Sequence, residues 1–304
     1  MLTMFDDVMP VRRSTLVVPA NKLRMIEKAV GTEADVVMLD MEDAVAYTPA
    51  NKTQAQEVIV EARSTLDFGS KELIVRVNAL GSPWFEGDLV AAIAAHPRAI
   101  VPAKITSVAE LREVDRRLMA LGAPSDLRFW VGLETVHAVM RSERIALASP
   151  RVEVLRFGFG DYTATMQGQF PDTIEHLVFP LTKVLATARM YGFQATGPAV
   201  VFGDLKRLDL VRAQAAFLRR LGFDGATIIH PSHIAEVHAA FTPTADEIEW
   251  ALRLEHALRD DTGEAVAVLD GHVVEAVHLK LANRTLAVAR RLGLVSEPPR
   301  SASA

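Results

Sequence analysis

Eight short apolar runs, each rich in β-formers and each followed by a stretch with helical spacing, constrain this 304-residue chain more than any other feature. They are STLVVP (14–19), VVMLDMED (36–43), LIVRVN (73–78), AIVPAK (99–104), FWVGLET (129–135), VLRFGFGD (154–161), FQATGPAV (193–200) and ATIIHP (226–231). Stretches between them, such as SVAELREVDRRLMALG and DLVRAQAAFLRRLG, repeat apolar residues at helical intervals and stop at glycine. Strands alternating with helices make a parallel sheet, and eight is the number that closes a (β/α)8 barrel. A doubly wound open sheet is the alternative fold. The seventh run is the weakest strand, because Gly197 and Pro198 interrupt it. The spacing thus predicts a barrel domain over 1–235, a largely helical C-terminal extension over 236–295 and a disordered tail over 296–304.

In such a barrel the strands' C-terminal ends build the active site. Charged and polar residues recur at that point: Asp40, Glu42 and Asp43 after the second run, Arg76 and Asn78 in the third, then Lys104, Glu134, Asp161 and His230. Each alone reads as a solvated acid or half of a salt bridge. Together they describe a pocket. Arg76 occupies a strand position that would usually be apolar, so its guanidinium needs carboxylate partners or an anionic substrate.

Glu134 and Asp161 end consecutive expected strands, and neighbouring strands lie about 4.8 Å apart. Two carboxylates so placed repel unless one is protonated or both hold a cation. An all-oxygen site with open positions suits Mg²⁺, with Mn²⁺ as the alternative ion. A metal-free acid pair of the glycosidase type is the competing interpretation, though nothing else points to sugar.

Other signals are weaker. The glycines of GFGDYTATMQG have the wrong spacing for a dinucleotide fingerprint. His230 and His233 lack a third nitrogen ligand and suit a structural role. Ser14 has no base nearby in sequence. The formal net charge is −5 with no long basic cluster, which disfavours nucleic-acid or membrane-surface partners. The absence of cysteine excludes disulfides, thiolate nucleophiles and zinc–cysteine sites. No apolar run has membrane-span length and the first residues do not read as a signal peptide, so a cytoplasmic protein is expected.

Six elements in order resemble the citrate lyase β-subunit-like family, within the HpcH/HpaI aldolase/citrate lyase superfamily, with its malyl-CoA and citramalyl-CoA lyases. They are RSTLVVPANKLRMIEKA, ADVVMLDMEDAV, VRVNALGSPW, GLET, FGFGD and GFDGATIIHPSHIAEVHAAFTP, and the likeness runs from about Arg13 to residue 292. The resemblance implies a Mg²⁺-dependent carbon–carbon lyase on a TIM barrel. Such an enzyme reversibly splits a β-hydroxyacyl-CoA into an acyl-CoA and a 2-oxo acid. It implies metal binding by Glu134 and Asp161, a catalytic Arg76 that also contacts substrate, and substrate contacts at Gly158 and Gly160. Asp40 would hold a metal-bound water, while Glu42 and Asp43 would orient Arg76. It also implies a homotrimer or hexamer in which the C-terminal extension forms a lid over a neighbouring subunit. Lyases of the family usually carry an aspartate on that lid as acid/base; here LDGHVVEAV places Glu275 at the position. The longer side chain leaves two alternatives open, a thioesterase on the same scaffold and a citrate lyase β subunit acting on a carrier-bound thioester in a complex.

Overall fold

The computed structural model describes residues 9–170, 173–200, 204–259 and 266–296. Eight strands lie in chain order: β1 Ser14–Pro19, β2 Val36–Asp40, β3 Glu72–Val77, β4 Ala99–Pro102, β5 Arg128–Leu133, β6 Val152–Phe157, β7 Gln194–Pro198 and β8 Gly225–Ile228. All neighbours are parallel, and β8 returns to β1 through Ser14↔Ala226, Thr15↔Thr227 and Leu16↔Ile228. The sheet is a closed (β/α)8 barrel, and the open-sheet alternative is excluded.

Side chains alternate across a strand with period two, and that alternation sorts the residues into two layers. Val37, Leu39, Val75, Ile100, Val131 and Leu155 belong to the large core between strands and helices. Val36, Met38, Ile74, Ala99, Val101, Trp130 and Val154 fill the barrel interior, with Val17 packed against them. Two or four residues further along the same interior rows come Asp40, Arg76, Glu134 and Arg156. The barrel is therefore apolar at mid-height and charged at its C-terminal mouth.

Arg12, with a fully buried side chain, closes the other mouth. It donates to both Glu72 carboxylate oxygens at 3.1 and 3.0 Å, to Gln194 Oε1 at 2.6 Å, and to Glu153, while its guanidinium lies 5.0 Å from the Trp130 ring. One side chain thus ties β3, β6 and β7 together.

Gly197 and Pro198 do not break β7. A Cβ on Gly197 would lie 2.5 Å from Leu218 Cδ2, so glycine lets helix Leu208–Leu221 press against the strand. Pro198 occupies the last strand position, and the ladder continues with Ala199 N–H donating to Thr227 O at 2.9 Å. The sixth strand, expected to run to Asp161, stops at Phe157; helix Phe159–Thr165 starts at once and carries Asp161 in its first turn.

Contacts divide the chain into a unit Arg12–Phe241 and a second holding the elements after Thr242. The second contains helices Ala245–Arg259 and Ala276–Arg291 and an antiparallel hairpin, β9 Val266–Leu269 with β10 His272–Glu275. Asp270 (φ 52°) and Gly271 (φ 77°) form the two-residue turn, where left-handed backbone matches the strand twist. Ala251, Leu254, Val274, Ala282 and Leu286 make its core. The tail expected over 296–304 lies, beyond residue 296, outside the described residues, as do residues 1–8. Among the described residues no helix is long and apolar enough to cross a membrane.

Candidate active site

Asp40 ends β2 pointing inward and is fully buried. It forms a bidentate pair with Arg76 from the adjacent strand, Nε to Oδ1 at 2.7 Å and Nη2 to Oδ2 at 2.5 Å. The backbone N–H groups of Glu42 and Ala44 donate to the same two oxygens at 2.9 and 3.0 Å. Four donors occupy the four lone-pair directions of the carboxylate. Asp40 thereby fixes Arg76. Burial alone would lower the Arg76 pKa, but Asp40 and Glu42 outweigh it and hold the guanidinium firmly cationic.

The turn after β2 brings in the other two acids. Glu42 is buried and takes Lys104 Nζ at 2.8 Å, Arg76 Nη1 at 3.2 Å and the Tyr47 hydroxyl at 3.0 Å. Burial raises its pKa from the ordinary 4.5 to about 7, against the pull of Arg76. Asp43 is half exposed, 3.3 Å from Lys104 Nζ and 3.8 Å from Arg76 Nη1. Burial disfavours its charge, but Glu42 beside it and the two cations prevail, and its pKa falls below the ordinary range.

Lys104 joins the acidic turn to Glu134. Its backbone takes a left-handed φ of 55°, unusual for a long side chain, and its N–H donates to Glu134 Oε1 at 2.7 Å. Its ammonium meanwhile reaches Glu42, Asp43 and, at 3.9 Å, Asp161 Oδ1. Glu134 is 3% exposed, and its Oε2 accepts no hydrogen bond among the described residues. The Asp161 carboxylate accepts none either, and its pKa is raised by burial and by the negative charge of Glu134.

This donor set fits Mg²⁺. One buried carboxylate is aimed by a backbone N–H with its second oxygen open, and a half-exposed carboxylate feels its charge. Both are hard oxygen ligands. Among the described residues no group of three or more His, Cys, Asp or Glu side chains gathers as a cage. An ion here would complete its shell with water or substrate oxygens. Gly158 faces Glu134 directly, and a Cβ there would meet Glu134 Cβ at 2.5 Å. Gly160 lies in the first turn of helix Phe159–Thr165.

Glu275 belongs to the second unit, where it is exposed at the end of β10, and its N–H donates to His278 Nδ1 at 3.2 Å. His230 is exposed and bonds Ser232, while the buried His233 bonds Leu205 O at 3.0 Å. Ser14 does meet a base that its sequence neighbourhood lacks, His238 Nε2 at 2.8 Å. It is buried at the opposite end of the barrel, and Asp35 approaches that same nitrogen at 3.7 Å, so the three do not form a relay.

Two buried cations at this mouth were not singled out from the sequence. Lys52 donates to the carbonyls of Met41 and Glu42 and to Asn78 Oδ1, all at 2.7–2.8 Å, and clamps the acidic turn from below. Its place on the buried stripe with Ala55, Ile59 and Ala62 was the available signal. Arg156 occupies an interior row of β6, and burial and Arg76 both depress its pKa. The reasoning that singles out Arg76 in LIVRVN applies equally to Arg156 in VLRF.

The model of the HpcH/HpaI aldolase/citrate lyase family matches residues 13–231. A (3S)-malyl-CoA thioesterase of Cereibacter sphaeroides is 34% identical over 283 residues, covering 92% of this chain and 95% of that protein. An L-malyl-CoA/beta-methylmalyl-CoA lyase of the same species is 31% identical over 297 residues, covering 89% and 92%. Among solved structures, protein CitE from Mycobacterium tuberculosis in complex with magnesium, acetoacetate and coenzyme A superposes with a TM-score of 0.76. It is 25% identical, and the match covers 95% of this chain and 100% of that one.

Proposed function

This chain belongs to the HpcH/HpaI aldolase/citrate lyase family, and from that premise we propose that it is a Mg²⁺-dependent carbon–carbon lyase. Its substrate is a β-hydroxyacyl-CoA of the malyl-CoA or citramalyl-CoA type, split into an acyl-CoA and a 2-oxo acid. The observation that carries the proposal is a clamped cation, Arg76, in the same charged barrel mouth as two open carboxylates, Glu134 and Asp161. The magnesium in the CitE complex supports the choice of ion.

When bound at Glu134 and Asp161, Mg²⁺ supplies Lewis-acid polarisation of the 2-oxo group. The remaining tasks belong to the chain. Cleavage moves the β-hydroxyl proton to a base and the carbon–carbon bonding pair into the thioester, whose oxygen becomes negative. Arg76, preset by Asp40, meets that charge without having to reorganise. Glu275, brought as a lid residue by a neighbouring copy in a homotrimer or hexamer, takes the proton and returns one to the carbon. Lys104 holds Glu134 from its backbone and the acidic turn from its side chain, and Gly158 and Gly160 leave backbone accessible to substrate.

A second reading, hydrolysis of the thioester on the same scaffold, is favoured by the somewhat higher identity to the thioesterase, 34% against 31%. Incubating the protein with Mg²⁺ and malyl-, methylmalyl-, citramalyl- and citryl-CoA, with products identified by mass, tests both. Acyl-CoA plus 2-oxo acid is the expected result. Free CoA plus the hydroxy acid supports hydrolysis, and unchanged esters overturn the function altogether.

A further inference from the structure

We infer that Arg156 is a specificity-determining residue that receives a second carboxylate on the acid fragment of the substrate. The inference rests on the lyase reading above and narrows its substrate: the ester is of the citramalyl-CoA type with a further carboxylate on the fragment that leaves, so the 2-oxo acid is a dicarboxylate and not glyoxylate or pyruvate.

The other arginines buried among the described residues are matched. Arg12 has Glu72 and Glu153, Arg76 has Asp40 and Glu42, and Arg151 has Asp115 with the carbonyls of Pro124 and Leu127. Arg156 is 6% exposed, yet among the described residues its side chain makes neither a hydrogen bond nor an ion pair, and its buried Nε has no partner. Removing a guanidinium from water without a counter-ion is costly. Such a residue is retained where something from outside the chain completes it.

Its position says where that partner arrives. Arg156 follows Val154 on an interior row of β6, level with Gly132 on β5 and Thr196 on β7. The charges it feels are those of the barrel mouth: Arg76 repels it, while Glu134, Asp40 and Glu42 attract it without touching it. Asp40 is saturated by Arg76, and Glu134 is held by Lys104. Thr196 Oγ1, across the strand pair, is buried and likewise unpartnered. A planar fork of N–H donors beside a free hydroxyl suits the paired oxygens of a carboxylate. On that reading an ion held by Glu134 and Asp161 would take the carboxylate next to the 2-oxo group, and Arg76 would face the thioester oxygen. The group left for Arg156 is a carboxylate at the far end of the acid.

The test is calorimetric binding to the full chain with Mg²⁺, using oxaloacetate and 2-oxobutyrate, which has the same number of carbons but lacks the second carboxylate. The wild type is expected to bind oxaloacetate at least ~10-fold more tightly, as a charged hydrogen-bonded pair warrants. In Arg156→Met the ratio is expected to fall to within about twofold of one, with a melting temperature no lower than wild type. Should that variant not fold, Arg156→Lys keeps the charge but loses the fork, and its ratio is expected to drop at least ~3-fold. A wild-type ratio near one, or a ratio that either folded variant leaves intact, overturns the inference. A protein that shows the ratio but splits no CoA ester keeps this inference and loses the lyase reading. Cleavage without the ratio does the converse.

Discussion

A methyl group on Gly158 would lie 2.5 Å from Glu134 Cβ and 2.8 Å from Glu134 Oε2. The end of β6 is thus bare so that the carboxylate from β5 can lie against it. Gly158→Ala is expected to push Glu134 aside, lowering kcat/KM by about 10²-fold or more and stability by about 1–3 kcal/mol. Steady-state kinetics and urea unfolding check the two effects. Wild-type kinetics in a folded Gly158→Ala protein would remove Glu134 from the site.

Asp40→Asn leaves the Arg76 guanidinium buried beside a neutral amide in place of its bidentate partner. Breaking a buried pair in this way costs on the order of 3–5 kcal/mol. The expected signature is a loss of that size in urea unfolding together with a fall in kcat. An unfolding free energy within ~0.5 kcal/mol of wild type would show the pair to be dispensable.

Glu42 gives stability a definite slope with pH. Its folded pKa is raised to about 7 from the ordinary 4.5, chiefly by burial. Between those values the folded chain binds a proton that the unfolded chain has released, so its contribution to stability falls as pH rises and levels off above about 7. Glu42→Gln carries no such charge. The difference in melting temperature, variant minus wild type, should therefore rise from pH 4.5 to 7.5. A flat difference would mean that Glu42 is ionised throughout.

Glu134 and Asp161 burden each other electrostatically, as the raised Asp161 pKa records. Asp161→Asn should therefore melt at or above the wild-type temperature without Mg²⁺, while losing the calorimetric Mg²⁺ binding of the wild type. Chelation by EDTA is expected to abolish turnover, and added Mg²⁺ to restore it. Full Mg²⁺ affinity in Asp161→Asn would place the ion elsewhere.

Much of the barrel mouth was legible because a parallel barrel turns a one-dimensional rule into a location: the polar residue that ends an apolar run lies at one rim. Asp40, Arg76, Lys104 and Glu134 were found that way. Asp161 was found with the wrong local structure, since a glycine after a strand reads equally as its continuation or as the start of a helix. Lys52 and Arg156 were passed over because a lone cation within an apolar pattern looks like a solvated exception until its burial is known. The division of labour within the mouth was not legible at all. That Asp40 is spent on Arg76, and that Lys104 uses its backbone on one acid and its side chain on three, depends on contacts between residues up to 62 positions apart, from Glu42 to Lys104.

The Arg12 cluster and the apolar layer around Trp130 make the barrel a well with a floor. Traffic through it runs one way in and the same way out. In the lyase reaction proposed above, a small acid bound at the bottom would therefore leave only after the acyl-CoA over the rim had gone, and the closed end of the barrel, away from the charged mouth, would set the order of product release.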